Sequence, residues 1–222
     1  MTEEEFIKRS KENLRRILKA ENLLNERLEK AFDRVPREEF FLPQNRSNAY
    51  QNNAFEIGFG QTISQPSMVF IMLKKLEVNK SHKVLEIGTG SGYLTALLCE
   101  LSYFVYSMEI IPELASMAES RLRKLGYKNF SIIIGDGSEG LPTYMPYDRI
   151  IVSAACPGIP SPLIEQLADG GILILPVGGL EFQRLVAVKK QGKGTEIKED
   201  ITCRFVPLMG KRGFKNEITK NY

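Results

Sequence analysis

Cysteine and histidine are scarce in this chain of 222 residues: Cys99, Cys156 and Cys203, and the single histidine His82. The cysteines are far apart and odd in number. That argues against a disulfide framework or a zinc site and points to a reducing compartment. A lone histidine builds no His-rich metal site, so the chain reads as metal-free and cytoplasmic. Long apolar runs are missing too. None approaches the ~20 residues that span a bilayer, and Met1 to Lys19 is charged, with no signal-peptide apolar core. Nor is there an excess of charge of either sign: 30 Lys and Arg face 27 Asp and Glu, a formal net charge of +3. That balance gives no electrostatic reason to expect nucleic acid or an anionic membrane as partner. With no coiled-coil pattern and no exposed apolar stripe, the chain reads as a monomer.

What is present suffices for a sizeable core, since 43% of residues are hydrophobic. Residues 3–32 carry apolar positions at helical spacing, ended by Pro36. A polar loop follows from Gln44 to Asn53. Residues 54–66, with two glycines and a proline, read as irregular, and 67–77 as helix. The chain then alternates. Strands are expected at 83–87, 104–108, 130–134, 149–152 and 172–175, and helices at 93–100, 112–125 and 162–168. A final strand pair, 185–188 and 195–206, turns around Gln191-Gly192-Lys193-Gly194. Alternating segments with apolar, β-branched strands predict an α/β fold, a mostly parallel sheet with helices on both faces and an antiparallel edge. With no repeat and no interdomain linker, residues 1–222 read as one domain: a helical and loop extension over 1–80, a core over 81–210 and a tail over 211–222.

The strongest chemical signal is Glu86-Ile87-Gly88-Thr89-Gly90-Ser91-Gly92-Tyr93, at the end of the first core strand and the start of a helix. Glycines there let the backbone turn sharply and approach a ligand. The spacing differs from that of pyrophosphate binders, and no Lys-Ser or Lys-Thr follows, so it is no P-loop. The next strand ends in Glu109, 19 residues after Gly90, an offset at which an acid takes ribose hydroxyls in nucleotide-binding α/β folds. The strand after that ends in Gly135-Asp136-Gly137. A structural turn, a helix-dipole acid and a surface turn are the plain alternatives for each feature alone. All three lie at strand carboxyl ends, where open α/β sheets bind ligands.

Taken with Gly60-Gln61-Thr62-Ile63-Ser64-Gln65-Pro66 and Arg204-Phe205-Val206-Pro207-Leu208, these motifs resemble the protein-L-isoaspartate (D-aspartate) O-methyltransferase family. Val35-Pro36-Arg37-Glu38-Glu39-Phe40 also matches it, as do the runs Tyr147 to Ala155 and Gly170 to Gly178. The similarity extends from about Leu14 to about Gly210. It implies a Rossmann-like fold with S-adenosyl-L-methionine as methyl donor, S-adenosyl-L-homocysteine as product and no metal. It also implies isoaspartyl residues of age-damaged proteins and peptides as acceptors. Carried onto this sequence, Glu86, Gly88, Thr89, Gly90, Ser91 and Gly92 would hold the methionine and sugar parts. Glu109 would take the ribose hydroxyls, Asp136 with Gly137 the adenine, and Ile110 would also belong to the cofactor site. Gln61, Thr62, Ile63 and Ser64 would line the junction with the acceptor, Ser64 matching the residue usually called catalytic. Ile57, Thr62, Val206, Pro207 and Leu208 would form the substrate channel. Asn52 stands where the family commonly has Asp, Glu56 where proline is usual and Ser67 where an aromatic or His is frequent. Cys156 replaces a small residue or proline.

The chemistry agrees with the residues available. A carboxylate acceptor, with a reference pKa of about 4, is already a nucleophile at neutral pH. No general base is needed, and the absence of a Ser-His-Asp set is no objection. Thr62 and Ser64 have a second reading as caps of the helix near Ser67. His82, ahead of the first core strand and at the end opposite the ligands, reads as a structural or surface residue. Cys156 has no neighbouring base or cation to activate it, and Met108, Met117 and Met145 read as core. Two alternatives remain open at this level. One is a methyltransferase acting on a small molecule or RNA; the other is a donor-binding module without the reaction.

Overall fold

The computed structural model describes residues 2–192 and 194–215. Helix α1 (Glu3–Ala20) starts on a capping box in which Thr2 accepts from the Glu5 N–H and Glu5 reaches back to Thr2. The single helix expected over 3–32 is two. The chain turns at Asn22, with φ of 55°, and the Leu23 N–H returns to the Leu18 carbonyl. Then Asn25 caps α2 (Glu26–Arg34) by accepting from the Leu28 N–H. Asparagine tolerates the left-handed conformation and caps well, so the break needs neither glycine nor proline.

The stretch expected to be irregular forms a hairpin of β1 (Phe55–Gly58) and β2 (Gln61–Ile63). Gly58, Phe59 and Gly60 all have positive φ and reverse the chain in minimal length. Helix α3 (Pro66–Leu76) follows. Asn52 stabilises its start, with Oδ1 accepting from the Ser67 N–H at 3.0 Å. An amide oxygen there does what the family's carboxylate oxygen can do, and Thr62 and Ser64 take no part in the cap. Glu56 points to solvent.

From there the expected alternation appears: β3 (Lys83–Ile87), α4 (Tyr93–Leu101), β4 (Phe104–Glu109), α5 (Pro112–Lys124), β5 (Phe130–Ile134), β6 (Tyr147–Val152), α6 (Ser161–Glu165), β7 (Leu167–Gly178), β8 (Gln183–Gln191) and β9 (Gly194–Cys203). The seven strands β3–β9 form one sheet ordered β5-β4-β3-β6-β7-β8-β9. Strands β3 to β7 pair in parallel; β8 and β9 are antiparallel at one edge. Lys193 and residues 216–222 of the expected tail lie outside the described residues. Strand β7 begins well before the expected 172–175, because Leu167 already pairs with Tyr147. A bulge then absorbs Asp169-Gly170-Gly171 before Ile172 meets Arg149.

Both sheet faces are buried, as the apolar strands require. Val84, Ile151, Ile172 and Ile174 face one core with residues of α1–α5. Their neighbours Leu85, Ile150, Leu173 and Leu175 face a second core with Leu163 of α6. The chain leaves β3 toward β5 on one side and returns to β6 on the other. A crevice therefore opens at the carboxyl ends of β3, β4 and β6, the topological switch point.

Candidate active site

Glycine geometry shapes the crevice floor. Gly88 and Gly90 have φ of 92° and 53°, a region that costs other residues roughly 1–2 kcal/mol. The Gly88 and Thr89 N–H groups both bond to the Met108 carbonyl, which ties the β3 tip to β4. Gly92 also has positive φ but sits behind the cleft. A Cβ there would lie 3.2 Å from Ala118 Cβ, so its smallness lets α4 approach α5.

Glu109 ends β4 inside this floor, buried yet part of the cleft wall. Its carboxylate accepts from the N–H groups of Gly90 at 2.8 Å, Ile110 at 2.9 Å and Ile111 at 3.0 Å. A carboxylate offers about four acceptor sites, so one stays available to a ligand hydroxyl. Among the described residues, Glu109 is the sole charged residue lining a cleft of about 180 Å³.

The expected cofactor residues Gln61, Thr62, Ile63, Ser64, Gly88, Thr89, Gly90, Ser91, Ile110 and Gly137 line the same cleft. So do Val206, Pro207 and Leu208, which reach it because Ala155, just past β6, bonds to Val206 and Leu208 at 2.7 and 2.8 Å. A second cavity of about 930 Å³ adjoins it. The two share Gln61, Thr62, Ser64, Ser153, Val206, Pro207 and Met209 in their walls. Among the described residues, Arg204 is the sole charged residue lining the second cavity.

Several expected residues lie elsewhere. Glu86 is fully buried beneath the floor, where its Oε2 accepts from Thr95 and Ser107 at 2.6 Å each. Ser107 in turn meets the cleft residue Thr89 at 2.5 Å, so Glu86 touches the cleft through a relay rather than directly. Burial pushes its carboxyl up to about 8 against those hydroxyl bonds, and Glu86 Oε1 has no partner. Asp136 is absent from the cleft wall. Its Oδ1 accepts from Ser138 N–H at 2.9 Å and its Oδ2 from Lys211 N–H at 2.7 Å. Burial alone would raise its pKa; the bonds from Ser138 and Lys211 outweigh it and hold the carboxyl below the usual range. Ile57 packs behind Gly90 instead of lining the acceptor cavity.

Ser153 escaped sequence reasoning. It follows β6, its N–H bonds to Ile87 O at 2.9 Å, and it lines both cavities. The available signal was its place one residue past an apolar strand beside the glycine tip. Met108, read as core, is also part of the cleft wall. Cys156 is buried and its thiol is pushed up to about 12 by that burial, so it stays protonated. His82 bonds to Asn79 ahead of β3, at the far end of the strand. Among the described residues no group of three or more His, Cys, Asp or Glu could hold a metal ion, and no helix is long and apolar enough to cross a membrane.

Comparisons with known proteins bear on this arrangement. Residues 9–213 match the family described as Protein-L-isoaspartate(D-aspartate) O-methyltransferase. The Protein-L-isoaspartate O-methyltransferase of Dictyoglomus thermophilum is 46% identical over 200 residues, covering 90% of this chain and 91% of the relative. That of Methanocella arvoryzae is 50% identical over 186 residues, covering 82% and 98%. A solved protein-L-isoaspartate O-methyltransferase superposes with a TM-score of 0.82 at 29% identity, over 91% of this chain and 67% of that one. One from Plasmodium falciparum, described as putative and solved with S-adenosyl-L-homocysteine, shares the fold. Its TM-score is 0.78 at 23% identity, over 89% and 97% of the two chains.

Proposed function

This chain belongs to the protein-L-isoaspartate (D-aspartate) O-methyltransferase family, and on that premise we propose how its two cavities divide the reaction. The enzyme is a protein repair methyltransferase: it methylates the free carboxylate of isoaspartyl residues in damaged proteins and peptides. S-adenosyl-L-methionine supplies a methyl group on a positively charged sulfur and leaves as S-adenosyl-L-homocysteine. The observation that carries the division is the charge of the walls. The cleft offers one acid, Glu109, toward a cationic donor. The adjoining cavity offers one cation, Arg204, toward an anionic acceptor.

Glu109 has an acceptor site free for a ribose hydroxyl, and Gly88 and Gly90 let the backbone come close. Ile110 and Gly137, both in the cleft wall, are assigned to the purine end. Asp136 supports that end from behind, since its carboxylate accepts from the Lys211 N–H two residues past Met209 of the wall. Ser64 and Thr62 stand where the cavities meet. The Ser64 hydroxyl orients the acceptor by donating to its non-attacking oxygen or a nearby peptide group. No proton has to be removed, because the acceptor arrives ionised. Catalysis rests on alignment and exclusion of water, and orientation contributes on the order of 7–11 kcal/mol in favourable cases.

The test incubates the protein with methyl-labelled donor and either an isoaspartyl peptide or its aspartyl twin. Base-labile label on the isoaspartyl peptide alone is expected. Label on both peptides, or on neither, contradicts the reading.

A further inference from the structure

Arg37 is the largest side chain that the fold buries completely, and the roles above leave it without a task. It belongs to the Val35–Phe40 run noted in the sequence. Its Nε donates to the Ala49 carbonyl and its Nη2 to the Ser64 carbonyl, both at 2.8 Å. The guanidinium carbon lies 4.5 Å from the centroid of the Tyr93 ring, and Tyr93 itself lines the donor cleft. No carboxylate forms an ion pair with Arg37 among the described residues. The nearby Glu38 bonds instead to the Tyr50 hydroxyl at 2.5 Å, and among the described residues Arg37 Nη1 has no partner.

A buried cation without a counter-ion is costly, and an apolar side chain of similar size often stabilises a fold as well or better. Stability is therefore a weak reason for an arginine here. A guanidinium does supply a rigid planar fork that fixes two acceptors at once and stacks on an aromatic face. Its two acceptors belong to the middle of the polar loop and to the segment between β2 and α3. That second segment carries the one hydroxyl assigned to acceptor alignment.

We propose that Arg37 is a positioning residue for methyl transfer, clamping the Ser64 backbone against the Tyr93 wall so that the Ser64 hydroxyl meets the acceptor in register with the donor. The inference rests on the orienting role given to Ser64. Arg37→Lys keeps the charge but concentrates it at one point, and it cannot hold both carbonyls as a fork does. Arg37→Met removes the buried charge and so guards against a variant that fails only through an unpaired cation.

The experiment compares wild type, Arg37→Lys, Arg37→Met, Ser64→Ala and the double variant Arg37→Met/Ser64→Ala. It combines steady-state kinetics on an isoaspartyl peptide, calorimetry with S-adenosyl-L-homocysteine and circular dichroism to confirm folding. Both Arg37 variants are expected to lose about tenfold to a hundredfold in kcat, the scale of a ~1 Å misplacement of reacting groups. Homocysteine-product affinity should stay at the wild-type level, and the double variant should be no slower than Ser64→Ala. Wild-type kcat in folded Arg37 variants beside a slow Ser64→Ala overturns this inference alone. So does an Arg37→Met penalty that is equally large in the Ser64→Ala background. Wild-type kcat in Ser64→Ala removes the orienting role and this inference with it. Failure of both Arg37 variants to fold assigns Arg37 to the fold and overturns the proposal.

Discussion

A Cβ added at Gly137 would lie 2.5 Å from Ile87 Cγ2, and Ile87 is both the last residue of β3 and part of the donor cleft wall. Gly137→Ala must therefore move Ile87. Overpacking of this kind costs typically about 1–3 kcal/mol, and the displaced side chain enters the space a donor would fill. Lower stability by urea unfolding and weaker binding of S-adenosyl-L-homocysteine by calorimetry are expected together; unchanged values of both would show that Ile87 yields freely. The glycine itself was legible in the sequence, as part of Gly135-Asp136-Gly137, but its reason was not. The same limit applies to Asp136. A carboxylate at a strand end was visible, but which donors take it depends on residues 210–212 returning from far along the chain. Asp136→Asn keeps an acceptor oxygen for the Ser138 N–H, whereas Asp136→Ala releases both backbone donors. Asp136→Ala should thus raise the donor KM more than Asp136→Asn does. Equal effects of the two would point to the charge rather than the anchoring.

Secondary elements show which features local sequence controls. The alternation from β3 to β6 was legible because short β-branched runs bounded by glycine and amphipathic helices are local patterns. The division of the first helix was harder to see, because Asn22 and Asn25 end and restart it without a proline or glycine. The β1–β2 hairpin was masked by its glycines, which mark turns and irregular loops alike. The start of α3 depends on Asn52, fifteen positions ahead of Ser67, and no short window links the two. That cap has a measurable consequence. Asn52→Ala removes the acceptor and should cost about 1 kcal/mol, roughly 2–4 °C in Tm for a domain of this size. Asn52→Asp instead places a negative charge at the α3 N-terminus and should add about 0.3–1 kcal/mol. Differential scanning calorimetry distinguishes the two directions. A Tm unmoved by Asn52→Ala would mean that water replaces the cap without cost.

At the scale of the whole molecule, a nearly balanced overall charge coexists with a fully buried acid at the centre of the sheet. Glu86 lies between the two cores, on the strand from which the glycine loop departs. Its carboxyl is raised from 4.5 to about 8, chiefly by burial, with Glu109 adding to the effect and the Ser107 and Thr95 hydroxyls opposing it. The sign of the consequence follows from proton binding. Below about pH 4.5 both folded and unfolded chains hold the proton, and Glu86 imposes no penalty on the fold. Between 4.5 and about 8 the unfolded carboxyl ionises while the folded one stays protonated, so unfolding releases a proton and stability falls as pH rises. Above about 8 the penalty is complete. Each unit of separation is worth about 1.4 kcal/mol, enough for the effect to appear in the global transition. Glu86→Gln keeps the shape and removes the titration. Its Tm, measured relative to wild type, should therefore climb steadily from pH 5 to pH 8 and level off above. A constant offset across that range would mean that Glu86 is ionised in the folded protein throughout, its charge held in place by the Ser107 and Thr95 hydroxyls.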